Sequence, residues 1–390
     1  MSLATGSVSI PTARGRSLSL IAVIASAFIS TLTFAITTPL LAVRLAAEGL
    51  SGGWIGLNTG AGAAAILLMS MATPALGRRL GTFWALMLSI LVMALGVGLL
   101  PVWDGKAGWF VLRILIGAGI AVHWVISEIW VNSAAEETDR GKVVGAYVAA
   151  VGLAYLVAAP ILLAMGTGGN LPFFVVTVMI ATAALPILVA RRLVPALPVS
   201  HNAGMLAAIV RQPTVMGASL VSGVAIAGVL SFLLLYVQHT GMTERMSLVV
   251  LAAVATGNVL LQVPVGMLAD KVGAERLLMS VAVVALIGLA GMPFLGALGP
   301  LRWPFLFLWG GALGGFYTLS LTLVGRRFGP VELPAANAAF VIVYEIGGLL
   351  GPVTSGFSID LWDPHGALVP LAVAYALFIF GALIAGTRRA

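Results

Sequence analysis

Apolar runs of about twenty residues recur along the whole chain, separated by short polar turns such as "LGRRLGT" and "LADKVGAER". About twenty apolar residues in a helix span the hydrocarbon core of a bilayer. The runs predict twelve spanning helices, near 18–42, 53–73, 83–101, 109–132, 143–165, 171–190, 214–236, 247–268, 277–298, 303–325, 335–357 and 367–386. The longest polar connection, 191–213, reads as a linker between a six-helix bundle over 1–190 and another over 214–390. Arg14, Arg16 and the small residues Ala25, Ser26 and Ala27 imitate a signal peptide. The apolar stretch nevertheless continues to about Val43, past the roughly 7–15 residues of a signal core, so an uncleaved first helix is expected.

Composition turns this pattern into a class. Of 390 residues, 61% are hydrophobic and 8% charged. A soluble domain carries roughly 25% charged residues, so a soluble fold is excluded and an all-α polytopic membrane protein is expected. The net charge of +7 is spread in ones and twos between apolar runs, without a basic patch interleaved with aromatics, which excludes nucleic acid as a partner and leaves the lipid bilayer. With the N-terminus inside, fifteen of the twenty basic residues fall on the cytoplasmic side, Arg140 and Lys142 among them. Four, Arg44, Lys106, Arg245 and Arg302, fall opposite, and Arg113 lies within a span. Basic residues favour cytoplasmic loops, so both termini are expected in the cytoplasm of a bacterial-type inner or plasma membrane. The absence of cysteine removes disulfides and thiolate metal sites.

The halves share similarity at one offset. Gly81 in "GRRLGT" and Gly273 in "ADKVGA" are 192 residues apart, as are Pro160 and Pro352 in the fifth and eleventh runs. One offset shared by loops and helices indicates a duplication, typical of secondary transporters that rock two bundles about a central site.

"GMLADKVGAER" (266–276) looks like the loop motif of the major facilitator superfamily, G-x-x-x-D-[RK]-x-G, with Gly266, Asp270, Lys271 and Gly273 in place. In the first-half copy Pro74 stands for the first glycine and Arg78 for the aspartate. "VLRILIGAGIA" (111–121) resembles the superfamily's fourth-helix motif through Arg113, Gly117 and Gly119, with Ile116 where glutamine is usual. "GGLLGPVTSG" (347–356) resembles its Gly-Pro motif, displaced from the fifth helix to the eleventh. Together with "SEIWVN", "RGKVVGAY" and "LPAANAAFVIVYEIGGLLGP", these residues are most similar to the YcaD-like branch. The resemblance implies two pseudo-symmetric six-helix bundles and transport by alternating access.

Several residues carry candidate chemistry. Glu345 lies about ten residues, or roughly 15 Å, into the eleventh run, near the bilayer midplane. Intramembrane carboxylates usually face a bundle interior or an aqueous cavity. One whose hydration alternates with conformation can take up a proton on one face and release it on the other, so Glu345 is the expected proton-coupling site. Arg113 either snorkels to the outer interface or faces the cavity, where it binds an anionic group or lowers a neighbouring carboxylate's pKa. His123, ten residues further along and a substrate-cavity candidate, is either a hydrogen-bonded packing residue or a proton carrier. Glu128 is about 22 Å from Arg113 along the helix, too far to pair, and a cytoplasmic-side pairing with Arg140 is expected. Asn58, Asn258 and Tyr344 are further substrate-cavity candidates. Asp270 is expected beside the start of the ninth helix, whose dipole a carboxylate favours. Gly266 and Gly273 would then permit close backbone approach, and the loop with Lys271 would form a conformational latch.

Other function classes find little support. No G-x-x-x-x-G-K-[ST] serves an ATP-driven pump, and the four histidines (123, 201, 239 and 365) form no H-E-x-x-H enzyme site. The sequence therefore points to a monomeric secondary transporter of a small-molecule substrate, without metal or organic cofactor and driven by a proton gradient. Nine Trp, sixteen Phe and fourteen Met suggest lipophilic or amphipathic cargo, and export of a small organic compound is expected. A facilitative uniporter, or a flippase or sensor without proton coupling, is the alternative on the same fold.

Overall fold

A computed structural model describes residues 13–103, 105–136, 139–195, 205–329 and 331–387. These residues are helical almost throughout, with no strand among them. The first bundle contains α1 (Ala13–Ala47), α2 (Gly52–Leu80), α3 (Thr82–Leu99), α4 (Lys106–Ala134), α5 (Arg140–Met165), α6 (Leu171–Thr182) and α7 (Ala184–Val189). After the short α8 (Met205–Arg211), the second contains α9 (Pro213–His239), α10 (Glu244–Leu260), α11 (Gln262–Val272), α12 (Ala274–Gly291), α13 (Arg302–Arg327), α14 (Leu333–Leu361) and α15 (Val369–Thr387). Residue 201 and the terminal 388–390 lie outside the described residues.

Among the described residues, eleven helical segments are long and apolar enough to cross a membrane, α6 with α7 counting as one, and α10 with α11, bent by 41°, makes a twelfth when counted as one span. The uniform eighth helix expected over 247–268 is therefore corrected to a broken one. Proline explains both breaks, because its ring clashes with the carbonyl four residues back and it lacks an N–H. Pro264 lies four residues after Leu260, where α10 ends, and Pro186 lies four after Thr182, where α6 ends. The duplicated loops agree in backbone: Gly81 and Gly273 both take positive φ, +83° and +90°, a region glycine enters without a Cβ penalty.

We call the side where α1 begins the near face and the opposite side the far face. At the far face the halves are sealed. Helix α14 packs against α9 of its own half and against α2 of the other. A Cβ on Gly56 would overlap the Pro352 carbonyl, and one on Gly356 the Gly52 carbonyl, so the two backbones meet without intervening side chains. Asp360 of α14 accepts hydrogen bonds from the Gly52 and Gly53 N–H groups at 2.7 and 2.8 Å, capping the N-terminus of α2. Glu244 at the start of α10 accepts from Thr167 N–H and its hydroxyl at 2.9 and 2.5 Å. The ion pairs at the near face instead stay within a half or tie α8 to α14: Arg16 with Glu136, Arg326 with Asp270, Arg327 with Glu275, and Arg211 with Glu332.

Candidate functional site

Helical geometry places Arg113, Ile116, Gly117, Ile120 and Trp124 on one face of α4, because steps of three, four, seven and eleven residues return to the same side. All five line a central cavity. Phe34 and Thr38 of α1, Gly62 of α2 and Tyr155 of α5 complete the first-half wall; Leu230 and Ser231 of α9 and Tyr344, Glu345 and Gly348 of α14 form the other. At 1.5 Å per residue, Arg113 lies about 10 Å below the far end of α4 and Glu345 about 24 Å below that of α14. The arginine thus occupies the sealed end, with the acid closer to the near face.

Arg113 does not snorkel: it is 4% exposed. A Cβ on Gly117 would strike the Gly62 carbonyl, and one on Gly62 would sit 2.8 Å from the Arg113 Nε. These glycines bring α2 and α4 together and make room for the guanidinium. Its Nη2 donates to Thr38 Oγ1 at 3.5 Å, whereas Nε and Nη1 are buried without a protein partner.

Glu345 is half-buried on the cavity wall. Tyr155 and Tyr317 lie within its electrostatic reach, with Tyr344 beside it, and the Tyr317 and Tyr344 rings meet edge to face at 5.4 Å. Neither Glu345 nor Arg113 takes part in an ion pair among the described residues. Adjacent helix positions diverge by about 100°, yet Tyr344 and Glu345 share the cavity because it is wide enough to be flanked by both.

His123, about 80° around α4 from Arg113, turns into the packing. Ser26 Oγ donates to the Ala183 carbonyl at 2.8 Å, at the break between α6 and α7, and so accepts from His123 Nε2 at 2.9 Å; Nδ1 faces Ser127 Oγ at 3.4 Å. The ring borders a smaller cavity with Trp124, Tyr147 and Tyr155, but both its nitrogens have partners.

Four expectations are corrected. Asn58 does not line the central cavity; it is buried and donates to the Trp109 carbonyl at 3.1 Å, tying α2 to α4. Asn258 is packed at Gly314 of α13 and accepts from Gln262 at 3.4 Å, beside the bend between α10 and α11. Glu128 forms no ion pair with Arg140; it is exposed on the cavity side of α4, beside the Trp124 indole, because it follows Trp124 by one helical turn. Asp270 meets Arg326 at the end of α13, at 2.6 Å, rather than the start of α12, and no atom comes within 4 Å of a Cβ added at Gly266 or Gly273. Gly273 serves its positive φ instead, and Lys271 lies exposed in the same turn.

The residues that sequence reasoning passed over are Trp124, Thr38, Tyr155 and Tyr317. Trp124 follows Arg113 by eleven residues, a spacing that placed it on Arg113's side of α4. Tyr155 and Tyr317 lie on other helices, and nothing local distinguishes them from packing residues.

The profile of the Major Facilitator Superfamily matches residues 23–352. The chain belongs to this superfamily. It is 26% identical over 354 residues to "Uncharacterized MFS-type transporter YcaD" of Salmonella enteritidis PT4 (strain P125109), covering 90% of this chain and 91% of the relative. Among solved structures, the nucleoside transporter NupG superposes with TM-score 0.75 at 13% identity, covering 94% of this chain and 98% of that one. A D-xylose–proton symporter superposes with TM-score 0.71 at 17% identity, covering 94% and 96%. These superfamily members fix the fold: two pseudo-symmetric bundles of a multi-pass membrane transporter, not an enzyme.

Proposed function

We propose that this transporter couples movement of a small organic solute to protons, with Glu345 as the proton carrier. The observation that carries this reading is the wall position of Glu345: a carboxyl without a charged partner, facing a cavity that is closed at the far face. Alternating access would expose that carboxyl to one aqueous phase and then the other. The fifteen-to-four distribution of basic residues supports a cytoplasmic near face in a bacterial-type plasma membrane. A monomer is part of the same proposal. The mostly apolar lining, including Phe34, Ile66, Ile120 and Leu230, supports a lipophilic solute, for which export is the direction we propose. The loop containing Gly266, Asp270, Lys271 and Gly273 would act as a latch when the near face closes, because its Arg326 contact lies within one half in the present conformation.

Reconstituted protein, with a substrate first found by thermal-shift screening, tests the coupling. Glu345→Gln should lose flux driven by a pH gradient and retain solute exchange. Full pH-driven flux in this variant would falsify the assignment. Wild-type flux without proton movement would identify a uniporter, and binding without flux a sensor.

A further inference from the structure

Arg113 is a cation without a counterion. Arginine remains protonated in proteins, and a buried charge is costly unless paired or hydrogen-bonded. The guanidinium has one long hydrogen bond, to Thr38, and two buried nitrogens with no partner, at the sealed end of the cavity. Its stem is held in a slot: Gly62 leaves the space beside Nε, and the Gly62–Gly117 approach fixes the two helices that flank it. Glu345 cannot supply the counterion here, since it lies on the opposite wall and closer to the near face, with no ion pair between them. The guanidinium fork matches carboxylate geometry, and a carboxylate bound there would satisfy the donors that the protein leaves open.

From this geometry we infer that Arg113 is the substrate-binding residue for the anionic group of an amphipathic organic monoanion, a carboxylate joined to an apolar body. The apolar lining of the same cavity, which includes Ile66, Ile116, Ile120, Trp124 and Leu230, would take the body. One guanidinium balances one negative charge, whereas a dianion would leave a second charge against apolar walls. The inference deepens the transport reading and depends on this cavity being the transport site.

It also sets the sign of coupling. The groups facing Glu345 are Tyr155 from α5, Tyr317 from α13, Tyr344 from α14 itself and, across the cavity, Arg113 from α4; Glu128 of α4, a second carboxyl, lies within electrostatic reach of the same Tyr317, and α9 contributes Leu230 and Ser231 without a charge. An anion and a proton in one cavity attract, and linkage makes that help mutual. Solute and proton then travel in the same direction.

The test compares 3-phenylpropionate, its amide and 3-phenylpropylamine, matched in apolar body and differing in charge, by binding to purified full-length protein through quenching of Trp124. A Trp124→Phe control identifies that signal among the nine tryptophans. The expected result is carboxylate binding about tenfold or more tighter than the amide, as hydrogen bonds to a charged group allow, with the amine weakest. Arg113→Gln should bring carboxylate and amide within about twofold, and Arg113→Lys should retain part of the preference. Equal binding of the three, preference for the amine, no saturable carboxylate binding, or an unchanged preference in Arg113→Gln overturns the inference. The wild-type comparison alone decides if the variants fail to fold. Carboxylate preference together with full pH-driven flux in Glu345→Gln would leave the anion site standing and remove the proton carrier; the reverse pairing would do the opposite.

Discussion

At the far face, helices from opposite halves meet through glycine backbones and two carboxylates that accept hydrogen bonds from helix-terminal or loop donors. At the near face, the charged side chains find partners without joining the two halves. The far-face contact depends on shape, since Gly56 and Gly356 leave no room for a methyl group. Each near-face pair has at least one solvent-exposed partner; Asp270 is 74% exposed, and exposed pairs contribute about 0–1 kcal/mol. A seal made of close-packed backbone holds one conformation, while separate sets of surface charges leave the other side free to open.

That contrast can be broken most strongly at Gly56. Gly56→Leu would drive a side chain into Pro352, and overpacking of this kind costs about 1–3 kcal/mol. Spin labels at Glu48 and Leu361 should report far-face opening increased roughly tenfold; an unchanged distance distribution would remove the glycine seal from the account. The chain has no cysteine, so two introduced cysteines carry the only labels. Asp360→Ala removes both acceptors for Gly52 and Gly53 and should shift the same distribution roughly fivefold, corresponding to about 1 kcal/mol for two solvent-accessible charge-assisted bonds. Glu244→Gln keeps an acceptor for Thr167 and loses the charge, so a shift of roughly twofold is expected by the same labels. Asp270→Asn should change the far-face distances least, by less than about twofold, because its pair is exposed and confined to one half. A large shift there would mean that the near-face charges already communicate with the seal.

The number of spans and the division into halves were legible because membrane insertion imposes one long apolar run per helix, a signal that survives without tertiary information. The bend in the eighth span was written locally in Pro264 but hidden by the continuity of the apolar run. At the site, single residues were legible where the membrane made them conspicuous: Arg113 and Glu345 stand out because charges in apolar runs are rare. Their shared cavity was not legible, since it depends on how α4 and α14 face each other across the halves. Asn58 and Asn258 misled for the same reason, as a polar residue in a span can serve a cavity or a neighbouring carbonyl, and composition does not separate the two. Asp360 was overlooked because it sits at a helix end, where an acid is unremarkable until its partner 308 residues away is known.

That separation bears on biogenesis. Helix α2 enters the membrane with the first turn of its amides still facing water, and the carboxylate that receives them is made only when the eleventh span emerges. The first bundle must therefore complete its own packing with one rim unfinished, and the eleventh span, synthesised much later, closes it. A truncation ahead of residue 360 would be expected to leave a folded but unlocked first half, open to proteases and to quality control on the side that the finished protein keeps shut.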